Sequence, residues 1–354
     1  MAGQGNPTEK RLLHSVSRDG DPVAKVDLNT TIEFRDLAAQ MQLDSRQEIL
    51  DGLTQAVATI SPKYFYDELG SSLFTAICQT PEYYPTRTEA GIFEAARTEI
   101  AHIVGTGRTL IDIGACDCAK AATWFDALQP AHYIAIDIST EFLRQAMQGL
   151  KNTHPEVKMT GLGLDFAHHF ALPAGLDKAR RLMFYPGSSI GNFSPVDATR
   201  FAREIRDELD DSGALLIGVD LVKDESVLVA AYDDSLGVTA SFNLNVLNQI
   251  NRLGGTNFEL TDWRHVALFN RVDSRIEMHL QAAHNVRVSW LDSGVGSAGG
   301  GERHFAKGER IHTENSYKYT VDGFSDLLRS AGFGRVRCWT DPHQQFGVFL
   351  AQAQ

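Results

Sequence analysis

The residues best suited to chemistry begin with the segment TLIDIGACDCAK, residues 109–120. A short apolar run reaches Gly114, passes through small and polar residues, and enters a segment with helical character. This pattern predicts a strand, a tight turn and a helix, the arrangement in which an α/β sheet holds a nucleotide. Because glycine has no Cβ, Gly114 would let backbone amides approach a ligand at that turn.

Carboxylates follow this turn at the ends of the next two apolar runs. Asp137 ends the run YIAID, and Asp165 is followed directly by Phe166. A carboxylate at the end of the second strand usually binds the ribose hydroxyls of a nucleotide. The turn and the carboxylates together predict a nucleotide-type cofactor.

The turn does not match the fingerprint of dinucleotide-binding proteins. That fingerprint, G-x-G-x-x-G, uses three glycines to seat a pyrophosphate, whereas Gly114 is followed by Ala115, Cys116 and Asp117. A cofactor without phosphates fits better, and S-adenosylmethionine (SAM) is the common one. A packed strand, turn and helix without any ligand is the alternative at this point.

Composition limits the classes of protein that the chain can belong to. Its 354 residues are 43% hydrophobic and 22% charged, which is typical of a soluble globular protein with one large or two ordinary domains. The formal net charge of −12 argues against nucleic acid or an anionic membrane as a partner, because phosphate binding depends on clustered Lys and Arg. No apolar run approaches the roughly 20 residues of a membrane span. The N-terminus is polar and has no apolar signal region, so we expect a cytoplasmic protein.

The cysteines indicate neither a disulfide framework nor a metal site. There are four, too few for a disulfide scaffold. Cys116 and Cys118 are one residue apart, which is the wrong spacing for a zinc knuckle or a C-x-x-C redox pair. We interpret them as small turn residues and predict no metal.

The order of the apolar runs predicts the fold class. After the first strand the runs recur with helical segments between them, at residues 133–136, 157–164, 182–185 and 215–219. This alternation predicts five parallel strands with right-handed crossovers. The C-terminus adds a helix at 323–331 and two strands at 336–339 and 347–351, which a short Asp341-Pro342 turn joins as an antiparallel edge pair. The prediction is the α/β, seven-stranded, doubly wound sheet of class I SAM methyltransferases.

Two parts of the chain are not needed for this sheet and predict a second α+β domain over the cofactor cleft. The first has a helix at 45–60 and an aromatic segment framed by prolines; the helix that follows it at 88–104, with Thr88 as its cap, leads into the first strand of the sheet. The second has a helical part at 227–251, strands at 266–269, 276–280 and 286–290, and a glycine-rich tip at 293–301 that we expect to be flexible. We therefore predict a disordered tail at 1–24, a substrate-binding domain at 25–87 plus 223–320, and a SAM-binding domain at 88–222 plus 321–354.

Longer motifs carry a family resemblance from about Ser45 to the C-terminus. They are YFYD at 64–67, PEYYPTRTE at 81–89, GSSIGN at 187–192, DLVK at 220–223, AYDD at 231–234, GVT at 237–239, RIEM at 275–278 and ENS at 314–316. In these motifs the chain resembles the histidine-specific N-alpha-methyltransferases of ergothioneine biosynthesis. The resemblance implies an enzyme that uses SAM to trimethylate the α-amine of L-histidine, which gives hercynine in the first step of that pathway.

The resemblance also implies roles for individual residues. The substrate imidazole would meet Tyr83, Glu314 and Ser316, with Met278 beside them, and the amino-acid head group would meet Asn192 and Tyr232. The cofactor contacts would be Tyr66, Gly114, Lys120, Asp137, Asp165 and Phe166. The sequence departs from the family at Cys116, where a second glycine is common.

The residue types give independent reasons for these roles. One imidazole nitrogen donates and the other accepts, so the Glu314 carboxylate and the hydroxyls of Ser316 and Tyr83 can read both sides of the ring. Methyl transfer needs a positioned, unprotonated amine rather than covalent catalysis, and Asn192 and Tyr232 could hold it as catalytic residues. Tyr66 is a weaker candidate for assisting proton loss, because a phenol is a poor base at neutral pH.

Each of these residues also has a purely structural interpretation. Glu314 could be a solvated charge or a cap beside Arg310, Asn192 a turn residue, Tyr232 a core aromatic and Met278 a core filler. The same fold could also methylate another amino acid such as tryptophan, which an apolar residue at position 314 would favour. A dinucleotide oxidoreductase or a non-catalytic nucleotide-binding module is the hypothesis from a different class. We expect a monomer that acts on a small amino-acid substrate.

Overall fold

The computed structural model describes residues 32–37, 42–166, 169–291 and 299–353. The tail predicted at 1–24, and residues 293–298 of the predicted glycine-rich tip, lie outside these ranges. Within them, no helix is long and apolar enough to cross a membrane. The same ranges contain no cluster of three or more His, Cys, Asp or Glu side chains that could hold a metal ion.

The described residues form fourteen strands and ten α-helices. The strands are β1 (Glu33–Asp36), β2 (Ala58–Thr59), β3 (Thr109–Ile113), β4 (His132–Asp137), β5 (Lys158–Gly163), β6 (Arg181–Tyr185), β7 (Ala214–Asp220), β8 (Trp263–Asn270), β9 (Arg275–Ala282), β10 (Val286–Trp290), β11 (Gly301–Phe305), β12 (Arg310–Tyr317), β13 (Arg335–Thr340) and β14 (Phe346–Gln352). The helices are α1 (Gln42–Thr54), α2 (Glu68–Ile77), α3 (Tyr84–Val104), α4 (Ala119–Ala122), α5 (Phe125–Leu128), α6 (Thr140–Thr153), α7 (Pro195–Asp207), α8 (Glu225–Tyr232), α9 (Val238–Gly254) and α10 (Val321–Ser330).

The large sheet has the strand order β1-β5-β4-β3-β6-β7-β14-β13. The five central strands are parallel, and β14 is antiparallel to both of its neighbours. Strands β3, β4, β6 and β7 are almost continuously apolar because helices cover both faces of the sheet. This confirms the doubly wound sheet of the class I methyltransferases.

The sheet differs from the prediction by one additional strand. Residues Glu33–Asp36 pair in parallel with β5 and make eight strands instead of seven. A Cβ on Gly161 would lie 2.4 Å from the ring of Phe34, so this glycine makes room for the additional strand. The substrate-binding domain, which was predicted to begin at residue 25, therefore includes a strand that joins the large sheet.

Three predicted helices have different bounds in the structure. Helix α3 begins at Tyr84 rather than at Thr88, because Pro85 occupies its first turn, where a missing N–H costs nothing. Helix α1 ends at Thr54, and Ala58–Thr59 form a strand rather than the end of the predicted helix. The helical part of the insertion is two helices, separated before Gly237, which has a φ of 74°.

A second sheet stands apart from the large one. Its order is β2-β12-β9-β8, and β10 and β11 form a separate antiparallel pair. Helices α2 and α9 pack on this sheet around a core in which the rings of Phe65 and Phe242 are stacked 4.6 Å apart. Strand β12 carries Glu314 and Ser316, two of the residues predicted to bind the substrate.

Candidate active site

The nucleotide turn folds over the end of the neighbouring strand. The amides of Gly114 and Ala115 both donate to the carbonyl of Ile136, at 2.8 and 2.9 Å. Gly114 has a φ of 70°, and Cys116 and Cys118 also have positive φ, at 50° and 61°. Strand β3 lies where the strand order reverses, between β4 and β6, and this is the position where doubly wound sheets bind ligands.

Asp137 is held by the same turn. One carboxylate oxygen accepts from the amide of Cys116 and the other from the amide of Ser139, each at 2.9 Å. Burial raises the pKa of Asp137, and these backbone hydrogen bonds act in the opposite direction. Each carboxylate oxygen has a second lone-pair position, so the side chain can still accept hydrogen bonds from a ligand.

A cleft of about 480 Å³ lies at this edge of the sheet. Five of the six predicted cofactor contacts line it: Tyr66, Gly114, Asp137, Asp165 and Phe166. Lys120 is not in its wall, and its ammonium group instead lies 2.7 Å from a carboxylate oxygen of Glu89.

Glu89 and Lys63 were not predicted to be part of the site. Glu89 is buried, and its other oxygen accepts from the amide of Gly187 at 2.7 Å, so it ties α3 to the loop after β6. Lys63 lies 3.0 Å from Asp165 and 2.6 Å from Glu48, and so connects α1 to the cleft. Neither residue has a local sequence signal, because each partner is distant in the chain.

A smaller cavity of about 50 Å³ lies beside the cleft. All six residues predicted to bind the substrate line it: Tyr83, Asn192, Tyr232, Met278, Glu314 and Ser316. Tyr66, Phe74, Ser189 and Asn192 line both cavities, so the two meet at these residues. We call the smaller cavity the inner pocket.

Glu314 is the buried acid of the inner pocket. Its exposed fraction is 8%, and the Asn192 side-chain amide donates to one of its oxygens at 3.2 Å. Burial raises the pKa of Glu314 to about 7, although Lys318 and Asn192 both favour the ionised form. Glu314 is therefore neither a solvated surface charge nor a cap beside Arg310.

Tyr232 and Ser316 are joined to each other and to an unpredicted lysine. The Tyr232 hydroxyl donates to Ser316 Oγ at 2.7 Å. The ammonium group of Lys318 donates to Ser316 Oγ at 2.7 Å and to the Tyr232 oxygen at 3.1 Å. Lys318 also lies 2.8 Å from Asp220, so a fully enclosed ion pair stands behind the inner pocket.

Tyr66 lies between the cleft and the inner pocket. Its ring packs edge-on against Phe74 and Phe242, with ring centroids 5.8 Å apart in each pair. Burial raises the pKa of Tyr66 well above its usual value, and the nearby carboxyl of Glu314 acts in the same direction. Tyr66 is therefore protonated at neutral pH to a greater extent than an exposed tyrosine, and its hydroxyl is not available to take up a proton.

Comparison with known proteins gives matches over most of the chain. The family described as SAM-dependent histidine-specific methyltransferases matches residues 45–353. The histidine N-alpha-methyltransferase of Mycolicibacterium smegmatis is 38% identical over 312 residues, which cover 86% of this chain and 94% of the relative. The enzyme of the same name from Mycobacterium tuberculosis is 36% identical over 313 residues, with the same coverage of 86% and 94%. Ergothioneine biosynthesis protein 1 of Neurospora crassa is 27% identical over 350 residues, 95% of this chain and 38% of that protein.

Proposed function

The chain belongs to the family of SAM-dependent histidine-specific methyltransferases, and we propose that it trimethylates the α-amine of L-histidine to give hercynine, the first step of ergothioneine biosynthesis. The observation that carries this proposal is the position of the buried Glu314 carboxylate. It lies with Ser316, Asn192 and Tyr232 in an inner pocket that meets the cofactor cleft. A polar ring bound there would place its amino-acid head group toward the cofactor.

The cleft has the chemistry that SAM requires. Asp137 would accept hydrogen bonds from ribose hydroxyls, the Gly114 turn would lie along the ligand, and Asp165 and Phe166 would form a polar and an aromatic wall. When bound, SAM would supply a methyl group on a positively charged sulfur: an amine lone pair can attack the methyl carbon in line, and S-adenosylhomocysteine leaves with the electrons of the broken C–S bond. The turn has one glycine instead of the three that bind a pyrophosphate, which disfavours a dinucleotide as the ligand.

The inner pocket suits an imidazole better than an apolar ring. Glu314 can accept from the ring N–H, and Ser316 can serve the other nitrogen. A tryptophan side chain has a ring N–H but no accepting ring nitrogen, so it would leave the Ser316 hydroxyl without its partner, which costs free energy.

The main role of the residues near the amine is to position it for methyl transfer. Asn192 lines both cavities, so its amide can face the amine, and Tyr232 lines the inner pocket. Because Tyr66 is a poor proton acceptor, we assign the released proton to solvent water in the cleft. Tyr66 and Phe74 line both cavities, and aromatic faces would favour a methylated cation formed where the cavities meet.

A direct test uses the purified protein, SAM with a deuterated methyl group, and an equimolar pool of the amino acids. Mass spectrometry should show histidine, and no other amino acid, gaining up to three labelled methyl groups. A parallel reaction without SAM controls for carried-over product. If labelled methyl groups appear on tryptophan instead, or on no amino acid, the proposal is wrong.

A further inference from the structure

Behind the inner pocket lies a buried cluster of charges that the proposed function does not use. The side chains of Lys318 and Asp220 are 0% and 1% exposed, and that of Lys223 is 8% exposed. Placing ionised groups away from water costs free energy, and such clusters give weak evidence of stabilisation. The contacts of Lys318 suggest a different reason for its position.

Lys318 has a partner for each of its three N–H groups. They are the Asp220 carboxylate at 2.8 Å, Ser316 Oγ at 2.7 Å and the Tyr232 hydroxyl oxygen at 3.1 Å. Burial acts to lower the pKa of Lys318, but the carboxylate of Asp220 outweighs it and the pKa stands above its usual value. The group is therefore an ammonium ion, which only donates, so both hydroxyl oxygens must accept from it.

This fixes where the remaining hydroxyl protons can go. The two hydroxyls are 2.7 Å apart, and one of them donates to the other. The phenol is the more acidic of the two, so Tyr232 donates and Ser316 accepts. Ser316 Oγ then accepts twice, from Tyr232 and from Lys318, and both of its lone pairs are occupied.

The Ser316 proton is left to be donated elsewhere. Among the hydrogen bonds of the described residues, Ser316 Oγ donates to no protein acceptor, and the side chain lines the inner pocket. The hydroxyl therefore presents a donor to the pocket. Glu314 presents an acceptor to the same pocket, and the charge of Lys318 favours its ionised form.

We propose that Lys318 is a positioning residue that fixes the Ser316 hydroxyl as a donor, so that the pocket takes a neutral imidazole with its unprotonated nitrogen at Ser316 and its N–H at Glu314. The inference rests on the proposed function, because it assumes that histidine is the substrate. It assigns specificity for one arrangement of the ring proton to a residue that does not line the pocket. An ammonium group in this position acts through Ser316 and need not touch the substrate.

Lys223 provides a matched control. Its ammonium group binds the other oxygen of Asp220 at 2.6 Å and the hydroxyl of Tyr84 at 2.7 Å. It makes no hydrogen bond to Ser316 or Tyr232 among the described residues. Lys223→Met therefore removes one buried cation from the same cluster without changing the donors at the pocket hydroxyls.

The experiment compares Lys318→Met with Lys223→Met. Calorimetry in the presence of S-adenosylhomocysteine measures the Kd of histidine and of β-pyrrolylalanine, in which a CH group replaces the accepting nitrogen. The wild type should bind the analogue about tenfold or more weakly than histidine, because the Ser316 donor has no acceptor there. Lys318→Met should weaken histidine binding and reduce this discrimination to about threefold or less, because the freed hydroxyl can turn to Tyr232. Lys223→Met should keep the discrimination, and both variants should bind S-adenosylhomocysteine as the wild type does.

A second background separates the proposed role from a general loss of structure. In Ser316→Ala, adding Lys318→Met should change histidine binding by less than about twofold, because the hydroxyl that Lys318 orients is gone. If Lys318→Met alone does not fold, Asp220→Asn with Lys318→Met removes both members of the ion pair and serves in its place.

The inference is overturned if Lys318→Met discriminates as strongly as the wild type, or if Lys223→Met loses discrimination to the same degree. A failure of the proposed function looks different, because the wild type itself would then neither bind nor methylate histidine.

Discussion

The two cavities of the site are built in different ways. The cofactor cleft, of about 480 Å³, lies at the ends of sheet strands, and backbone amides hold its key carboxylate, Asp137. The inner pocket, of about 50 Å³, is walled by side chains from α8, α9, β9, β12 and the loop after β6. Its polar groups hold one another, as Asn192 holds Glu314 and Lys318 holds Ser316.

The difference separates affinity from selectivity. A cleft made from strand ends and main-chain groups keeps its shape under many substitutions, so changes there should alter mainly how tightly the cofactor binds. A pocket of interlocked side chains depends on each donor and acceptor, so changes there should alter which ring is accepted. Each prediction below tests one side of this comparison.

The largest effect is expected at Glu314. Glu314→Val removes the buried carboxylate that would accept from the ring. We expect kcat/KM for histidine to fall by a factor that corresponds to an increase of about 2–4 kcal/mol in activation free energy. Affinity for SAM should change little, and the pocket should become more tolerant of apolar rings such as tryptophan. Steady-state kinetics with both amino acids and calorimetry with SAM in the same variant measure all three quantities.

A carboxylate on the neighbouring strand serves as the control for this variant. Glu277 lies on β9 and is bound by Arg275 and Asn270, outside both cavities. Glu277→Gln should keep the preference for histidine. An unchanged preference in Glu314→Val would show that the ring is read elsewhere.

The next effect is expected in the cofactor cleft. Asp137→Ala leaves the amides of Cys116 and Ser139 without their acceptor and removes the partner of the ribose, so SAM affinity should fall by about 1–3 kcal/mol. Calorimetry with S-adenosylhomocysteine measures this loss, and NAD provides the comparison ligand. Tighter binding of NAD than of SAM by the wild type would contradict the reading of the turn.

A pH effect should separate Glu314 from the titration of the substrate. Glu314 has a pKa of about 7, so it is increasingly protonated below that pH and ceases to be a charged acceptor. We expect the ratio of kcat/KM for the wild type to that for Glu314→Gln to be constant at high pH and to fall toward low pH, by up to about tenfold per unit. The ratio cancels the titration of the histidine amine and imidazole, which affects both enzymes equally. The range from roughly pH 6 to pH 9 brackets this titration. A ratio that stays constant across it would contradict a role for the ionised carboxylate.

The smallest effect is expected at Cys116, the position in the turn where the family resemblance implied a second glycine. Its φ of 50° is a conformation that glycine adopts readily, and its amide, which binds Asp137, is kept in Cys116→Gly. Relief of this backbone strain and the greater freedom of glycine in the unfolded chain act in opposite directions. We therefore expect a change in the free energy of unfolding below about 1 kcal/mol and unchanged SAM affinity, by thermal unfolding and calorimetry.

Much of the large sheet could be predicted because its signals are local. Buried parallel strands are continuous apolar runs, and the strands predicted from them agree with the structure within two residues at each end. Strand β1 was missed because its four residues carry one large apolar side chain, and its place depends on Gly161, a residue far along the chain. The start of α3 was predicted too late because Thr88 has the residue type of a helix cap, whereas Pro85 already lies in the first turn of the helix.

The predicted site residues also divide into those with a local sequence signal and those whose contacts depend on distant parts of the chain. All six residues predicted to bind the substrate line the inner pocket, and five of the six predicted to bind the cofactor line the cleft; their roles there remain predictions. Lys120 is the exception, because its charge is taken up by Glu89 on α3, which only the folded chain brings to it.

By itself, the sequence determined the doubly wound sheet and the turn with its carboxylates, and its motifs named the polar groups that we predict to bind an imidazole. These depend on hydrophobic periodicity and on motifs, both of which can be read from adjacent residues. The tertiary structure alone decided that Glu314 has a pKa near 7, that Lys318 binds both Ser316 and Tyr232, and that the two cavities meet at Asn192. The physical reason is that burial, charge pairing and the direction of a hydroxyl proton are set by neighbours in space, and those neighbours come from strands and helices far apart in the chain.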